Sequence, residues 1–145
     1  MLVISITAVL IANIQVFFSF FWGDDFLHFY QIANWNPFEF IFLPFGNQFF
    51  PFRQLIYYGL FKIFGLNSLV YFSIVLLTHA CSAYLLYKII LLLTDRPSLA
   101  AAGAMMWGIY PGNYSSLAYF PSYGQVLTSL FFLLLLYDLI RIEKG

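Results

Sequence analysis

From Ser68 to Leu93 the chain runs twenty-six residues with a single charge, Lys88, and from Leu2 to Phe21 it runs twenty with none. About twenty consecutive apolar residues suffice to carry a helix across the hydrocarbon core, where every backbone polar group must be satisfied internally. These two stretches constrain the architecture more than any other feature. The first holds only small or neutral polar interruptions, among them Ser5, Thr7, Asn13 and Gln15. It lacks a basic leader and a small-residue cleavage site, so it reads as a retained span rather than a signal peptide. Leu99 to Tyr110 begins a third apolar segment after Pro97 and ends at the turn signal Pro111-Gly112-Asn113; Val126 to Ile140 forms a fourth. The expected fold is all-α: a polytopic membrane protein with about four transmembrane helices, near 2–22, 68–93, 97–111 and 123–140. A single membrane domain covers 1–145, and interfacial helices occupy an extracytoplasmic loop at 23–67.

Composition closes the other routes. Only 8% of residues are charged and 63% are hydrophobic, against about 25% charged in average globular chains. A soluble domain cannot cover its surface with so few ions, and a chain this apolar is not disordered. Six cations balance six anions, which removes the electrostatic footprint of a nucleic-acid partner. One cysteine, Cys81, excludes an internal disulfide or a cysteine-based metal centre, and is read as packing.

Cytoplasmic flanks carry excess Lys and Arg. Lys88 and Arg96 flank the turn between the second and third spans, and Arg141 and Lys144 follow the fourth. Alternating spans put these on one face, with Arg53 and Lys62 opposite. The N-terminus is therefore predicted cytoplasmic and residues 23–67 extracytoplasmic, in a multi-pass integral membrane protein of bacterial plasma-membrane type.

The outer segment carries the chemistry. Between Phe26 and Phe64 stand fifteen aromatic residues, with Pro37, Pro44 and Pro51; such rings suit the membrane interface. Pro51 opens a predicted helix to about Phe64, with Ile56, Leu60 and Ile63 as its apolar stripe, Arg53, Gln54 and Tyr57 facing away, and Gly65 as C-cap. Asp24 and Asp25 follow the first span directly. A carboxylate at mid-bilayer costs roughly 2.5–3.5 kcal/mol, less toward the interface. Two adjacent carboxylates can serve as a general base with an orienting partner, or hold a divalent cation; the plain alternative is a cap for a helix beginning at Phe26. His28 lies one helical turn beyond them. Arg53, the one arginine of the outer face, suits phosphate, or else snorkels. His79, mid-span with Ser82 close by, is an intramembrane suspect, or a histidine satisfied by a neighbouring helix. Glu39, in Asn36-Pro37-Phe38-Glu39-Phe40, is either a substrate contact or a loop charge. Lys88 is read as snorkelling to the inner surface.

Several of these motifs, in this order, resemble the N-terminal part of the GT-C membrane glycosyltransferases, in the branch of the protein O-mannosyltransferases and aminoarabinose transferases. They are Trp22-Gly23-Asp24-Asp25-Phe26 after the first span, then Phe52-Arg53-Gln54-Leu55. Phe64-Gly65-Leu66-Asn67 enters the second span, Leu76-Leu77-Thr78-His79 lies within it, and an Ala-rich third span runs from Leu99-Ala100-Ala101-Ala102 to Tyr110-Pro111. Two departures stand out: Gln54 replaces the usual proline after the arginine, and the acidic pair is Asp-Asp where many relatives have Asp-Glu. Family members also have more spans, so the resemblance implies a portion of a longer module.

The resemblance implies transfer of a sugar from a polyprenyl-phosphate-linked donor to an acceptor hydroxyl of protein, lipid or glycan. In that scheme Asp24 is the base and Asp25 assists it. Arg53 steadies the leaving phosphate, with His28, His79 and Glu39 as further substrate contacts. No cofactor is required; a divalent cation at the acidic pair is the one candidate. An aromatic floor from Phe38 to Phe52 would hold the prenyl chain or stack on sugar. Two rivals come from other classes: a non-catalytic membrane subunit or scaffold, and a transporter fragment using Asp24, Asp25 and His79 as an ion path.

Overall fold

A computed structural model describes residues 1–44 and 48–144. The described chain is helical: α1 (Leu2–Ala12), α2 (Asp24–Asn34), α3 (Pro37–Ile41), α4 (Pro51–Phe64), α5 (Ser68–Thr94), α6 (Pro97–Gly108), α7 (Tyr114–Leu117) and α8 (Tyr123–Lys144). Short 3-10 turns at Ile14–Phe18, Pro111–Asn113 and Phe120–Ser122 link them.

Two segments are long and apolar enough to cross a membrane, Ser68–Thr94 and Phe120–Lys144. At 1.5 Å per residue α5 extends about 40 Å and α8 about 33 Å, against a hydrocarbon core of about 30 Å. By the same measure α1 and α6 extend only about 16–18 Å, short of the core thickness. The continuous helix expected over 2–22 stops at Ala12, and a long-range contact accounts for it. Asn13 donates its side-chain amide to Val9 O (2.9 Å) and across to Gly108 O (2.9 Å), so it leaves the helical path to reach α6. The third segment likewise ends at Gly108 rather than 111.

Contacts fix the relative directions. The α5 side chain of Tyr87 packs with Ala100, Ala101 and Ala104 of α6 and with Leu2 of α1. At the other end His79, Gly108 and Asn13 meet. Hence α5 runs antiparallel to both α1 and α6. Leu85 and Ile89 of α5 pack with Leu133 and Ile140 of α8, and Lys144 Nζ donates to Leu92 O, so α5 and α8 run parallel. Met1, the turn at Asp95–Arg96 and Lys144 therefore share one end of the bundle. The segment from Gly23 to Gly65 and the 111–122 connection share the other.

At this second end a cluster of aromatic rings forms the core. Phe120 meets Tyr57 (4.7 Å between centroids) and Tyr71 (5.0 Å) edge-on, and Phe21 meets Phe29 (4.7 Å) and Tyr71 (4.9 Å) likewise. Edge-to-face packing suits the ring quadrupole. Helix α4 spans its expected residues, and Gly65 ends it with φ 58°, its amide donating to Phe61 O. Its facing departs in part from the expected one: of the apolar stripe Leu60 is buried and Ile56 packs against the core. Arg53, Gln54 and Tyr57 turn inward, whereas Ile63 is 73% exposed. Polar groups on this helix find partners inside, which leaves Ile63 on its outward face. Cys81, expected in the packing, is exposed; an outward face of α5 accepts a small thiol as readily as an inward one.

Candidate functional site

Gly23 turns the chain into α2 with φ 59° and ψ −120°, a conformation open essentially to glycine. Asp24 and Asp25 thereby become the first two residues of α2 instead of caps ahead of Phe26, in the turn where the helix dipole favours negative charge. One step apart on a helix, the two carboxylates point into different surroundings.

Asp25 is 0% exposed. Its Oδ1 accepts the Tyr57 hydroxyl at 2.5 Å and its Oδ2 accepts the Trp22 amide at 3.0 Å. Burial raises its pKa, opposed by these two hydrogen bonds and by Arg53, while the Asp24 charge adds to the rise. Tyr57, buried beside a carboxylate, is pushed well above the ordinary phenol range, so it stays a donor. Asp24 is half-buried. Its Oδ2 accepts the Tyr119 hydroxyl at 2.6 Å, and the Tyr119 ring packs on Trp22 at 4.9 Å. Burial and the Asp24 carboxylate push the Tyr119 phenol up to about 12. Trp22 and Tyr119 line a cavity of about 650 Å³ with Ser19, Ser115, Ser122 and Gln125. Asp24 thus stands beside an open space through its partner, while Asp25 is enclosed.

Arg53 is 2% exposed. Its Nη1 donates to Pro121 O at 2.5 Å and its Nη2 to Gln54 Oε1 at 3.1 Å. Nε of Arg53 and Nε2 of Gln54 find no hydrogen-bond partner among the described residues. Burial lowers the guanidinium pKa, against the pull of Tyr57, Tyr119 and Asp25. Close approach of α8 makes the Pro121 contact possible, since a Cβ on Gly124 would sit 2.8 Å from the Phe50 ring. Arg53 also borders an apolar slot of about 160 Å³, walled by Phe49, Phe50, Phe52, Leu127 and Phe131.

Of the remaining residues singled out in the sequence, His28 joins this cluster. It is buried, its Nδ1 pairs with Gln31 Oε1 at 3.3 Å, and its ring lies 5.2 Å from that of Tyr57. Burial, then the Arg53 charge, lowers its pKa to about 4, so it is neutral near pH 7. Glu39 stands apart and exposed; with Asn36 it forms a capping box at the start of α3, its Oε2 accepting the Asn36 amide. His79 lies deeper, stacked on Trp107 at 4.8 Å, with Nε2 2.9 Å from Gly108 O. A carbonyl only accepts, so that nitrogen carries the proton. Among the described residues no further His, Cys, Asp or Glu joins the acidic pair as a set of three. Within the expected aromatic floor, Phe38 and Phe42 are exposed and stacked, and Phe45 lies outside the described residues.

Tyr57 and Tyr119, which fix the two carboxylates, were not among the expected site residues. Tyr57 carried a signal, since it falls one turn after Arg53; Tyr119 lies ninety-five positions from Asp24 and carried none. No protein-family profile, curated protein or solved structure matches this chain.

Proposed function

We propose that this chain is a membrane glycosyltransferase module that moves a sugar from a polyprenyl-phosphate-linked donor to a hydroxyl, with Asp24 as general base. The observation that carries the reading is the division of labour in the acidic pair. Asp24 is half-buried and bonded to the Tyr119 hydroxyl, whose ring lines a cavity of substrate size, whereas Asp25 is sealed among Tyr57 and the Trp22 amide. A base must reach the proton it takes, and of the pair only Asp24 is partly exposed. In this scheme Asp25 positions its neighbour through the shared first turn of α2.

The donor side follows from Arg53. An apolar slot ending on a buried guanidinium fits a prenyl tail whose phosphate gains charge as the glycosidic bond breaks. The acceptor oxygen then bonds the anomeric carbon, the phosphate departs with the bonding electrons, and Asp24 receives the hydroxyl proton.

The bundle ends support an outward-facing site. Lys88, Arg96, Arg141 and Lys144 lie at one end and the site at the other. With α1 and its following turn, α6 and the two long helices crossing as four segments, the positive-inside rule directs the site outward. The test is transfer from a radiolabelled polyprenyl-phosphate sugar in right-side-out and inverted membrane vesicles carrying the chain. Labelled acceptor formed in the right-side-out preparation is the expected result. No label above empty vesicles in either orientation would overturn the reading.

A further inference from the structure

Below the outer cavity lies a second opening, a cleft of about 170 Å³ bordered by His79, Trp107, Asn113, Ser116, Gln125 and Ser129. Ser116 and Gln125 also border the outer cavity. Their side chains meet there, Ser116 Oγ donating to Gln125 Oε1 at 3.2 Å, in an exposed hydrogen bond. Exposed pairs of this kind contribute little net stability, so the partition between the chambers is light. No Lys, Arg, Asp or Glu lines either chamber.

The depth of the cleft is set by a polar knot. Gly108 O accepts from both Asn13 Nδ2 and His79 Nε2, which ties α1, α5 and α6 together where Gly108 has no side chain to keep Val9 away. With its proton on Nε2, His79 presents Nδ1 as an acceptor, and no hydrogen bond to that nitrogen exists among the described residues. Asn113 is held by donating to Trp107 O at 2.7 Å, leaving its carbonyl side as an acceptor. A neutral, hydroxyl-lined chamber with aromatic walls and an imidazole acceptor matches sugar hydroxyls and apolar sugar faces, and offers no cation to a phosphate.

We propose that the two chambers form one site for a neutral saccharide, its ring in the outer cavity against the packed Trp22–Tyr119 pair and a hydroxyl-bearing edge in the cleft against His79. The outer volume is within the range of small-molecule pockets, and the inner one equals roughly five waters at ~30 Å³ each. The proposal rests on the transferase reading for the role of that saccharide as acceptor, but binding itself does not depend on turnover. It also separates the substrates by charge: the prenyl phosphate goes to Arg53 and the uncharged acceptor to His79.

Trp107 reports on the cleft. The whole chain is placed in lipid nanodiscs free of sugar-headed detergent, with Trp22→Phe, which keeps an aromatic ring on the outer cavity, and Trp35→Phe leaving Trp107 as the one indole; calorimetry on the unsubstituted chain gives the reference affinity. It is titrated with neutral disaccharides of glucose, mannose and galactose, and with the corresponding sugar 1-phosphates. A saturable change in Trp107 emission is expected with at least one neutral disaccharide, and affinity for the sugar phosphates at least tenfold weaker. Gln125→Leu and His79→Leu should each weaken binding tenfold or more, while His79→Gln, which keeps a donor for Gly108 O and an acceptor for the ligand, should retain it. Helical circular dichroism establishes that each variant is folded. No saturable response to any disaccharide, equal affinity for the phosphates, or an unchanged response in folded Gln125→Leu would overturn the site. Sugar transfer without a Trp107 response removes this site and leaves the transferase; a response without transfer does the reverse.

Discussion

One end of the bundle buries some of its Asp, Arg and His side chains, and the other buries no charged side chain among the described residues. Where the first residue, the α5–α6 turn and the end of α8 come together, Asp95, Arg96, Arg141, Glu143 and Lys144 are all exposed. At the other end Asp25, His28 and Arg53 are fully or almost fully buried among aromatic rings and amides. Both ends contain ions in a chain that has very few. Exposed ions require no partner and set orientation, whereas a buried ion survives only with hydrogen bonds built for it. The difference teaches that scarcity of charge is not the signal of function here; enclosure is.

The contrast breaks most visibly by deleting an ion from each end. Arg53→Leu should destabilise the folded chain by about 3 kcal/mol or more, because the buried Pro121 O and Gln54 Oε1 each lose their donor and the Asp25 carboxylate loses a favourable charge. Arg96→Leu should change stability by less than about 0.5 kcal/mol. Thermal unfolding in nanodiscs measures both, and equal shifts would erase the distinction.

Acid sharpens it next. His28 has its pKa lowered to about 4 from 6.5, so the unfolded chain binds more protons between those values. Stability from this group is full above about pH 6.5 and is lost as pH falls through about 4, up to about 3 kcal/mol in all. Asp25 acts in the opposite sense: its raised pKa means that stability declines as pH rises above the ordinary carboxylate value. A His28→Phe variant should lose the acid-side fall seen between pH 6.5 and 4 in melting curves, and retention of that fall would assign it elsewhere.

A smaller effect marks the boundary between the ends. Gly108→Ala puts a methyl group against Val9 and strains the carbonyl that Asn13 and His79 share. The expected loss is about 1–3 kcal/mol, relieved in the Val9→Ala double variant; additive losses would show that the collision is not the cause. Smallest of all, Lys144→Ala should shift the melting point within error, since its contact with Leu92 O is exposed.

What the sequence disclosed follows the same division. The bounds of α4 and α5, the Gly65 stop and the Pro111 break rest on local rules, an apolar run, a proline or a glycine, and these elements stand where the residues indicate. Asn13 ended the first helix because of a carbonyl on α6, ninety-five residues away. The facing of α4 was hidden for a related reason. An apolar stripe marks the buried side only when water is the alternative, and here Arg53 and Tyr57 went inward because Pro121 and Asp25 awaited them. For Glu39 the residues alone allowed a substrate contact or a loop charge, and it forms a helix cap. Asp24 and Asp25 were visible as a pair, but nothing in two identical neighbours says which one stays partly exposed and which is sealed.

That asymmetry is the central claim, and single-turnover sugar transfer by Asp24→Asn and Asp25→Asn, each normalised to folded protein, tests it most directly. The account predicts that Asp24→Asn unfolds at the native temperature, still binds the lipid-linked donor, and transfers about 10²–10⁴-fold more slowly, while Asp25→Asn loses stability and transfers in proportion to what remains folded. Native-rate transfer by Asp24→Asn would contradict it.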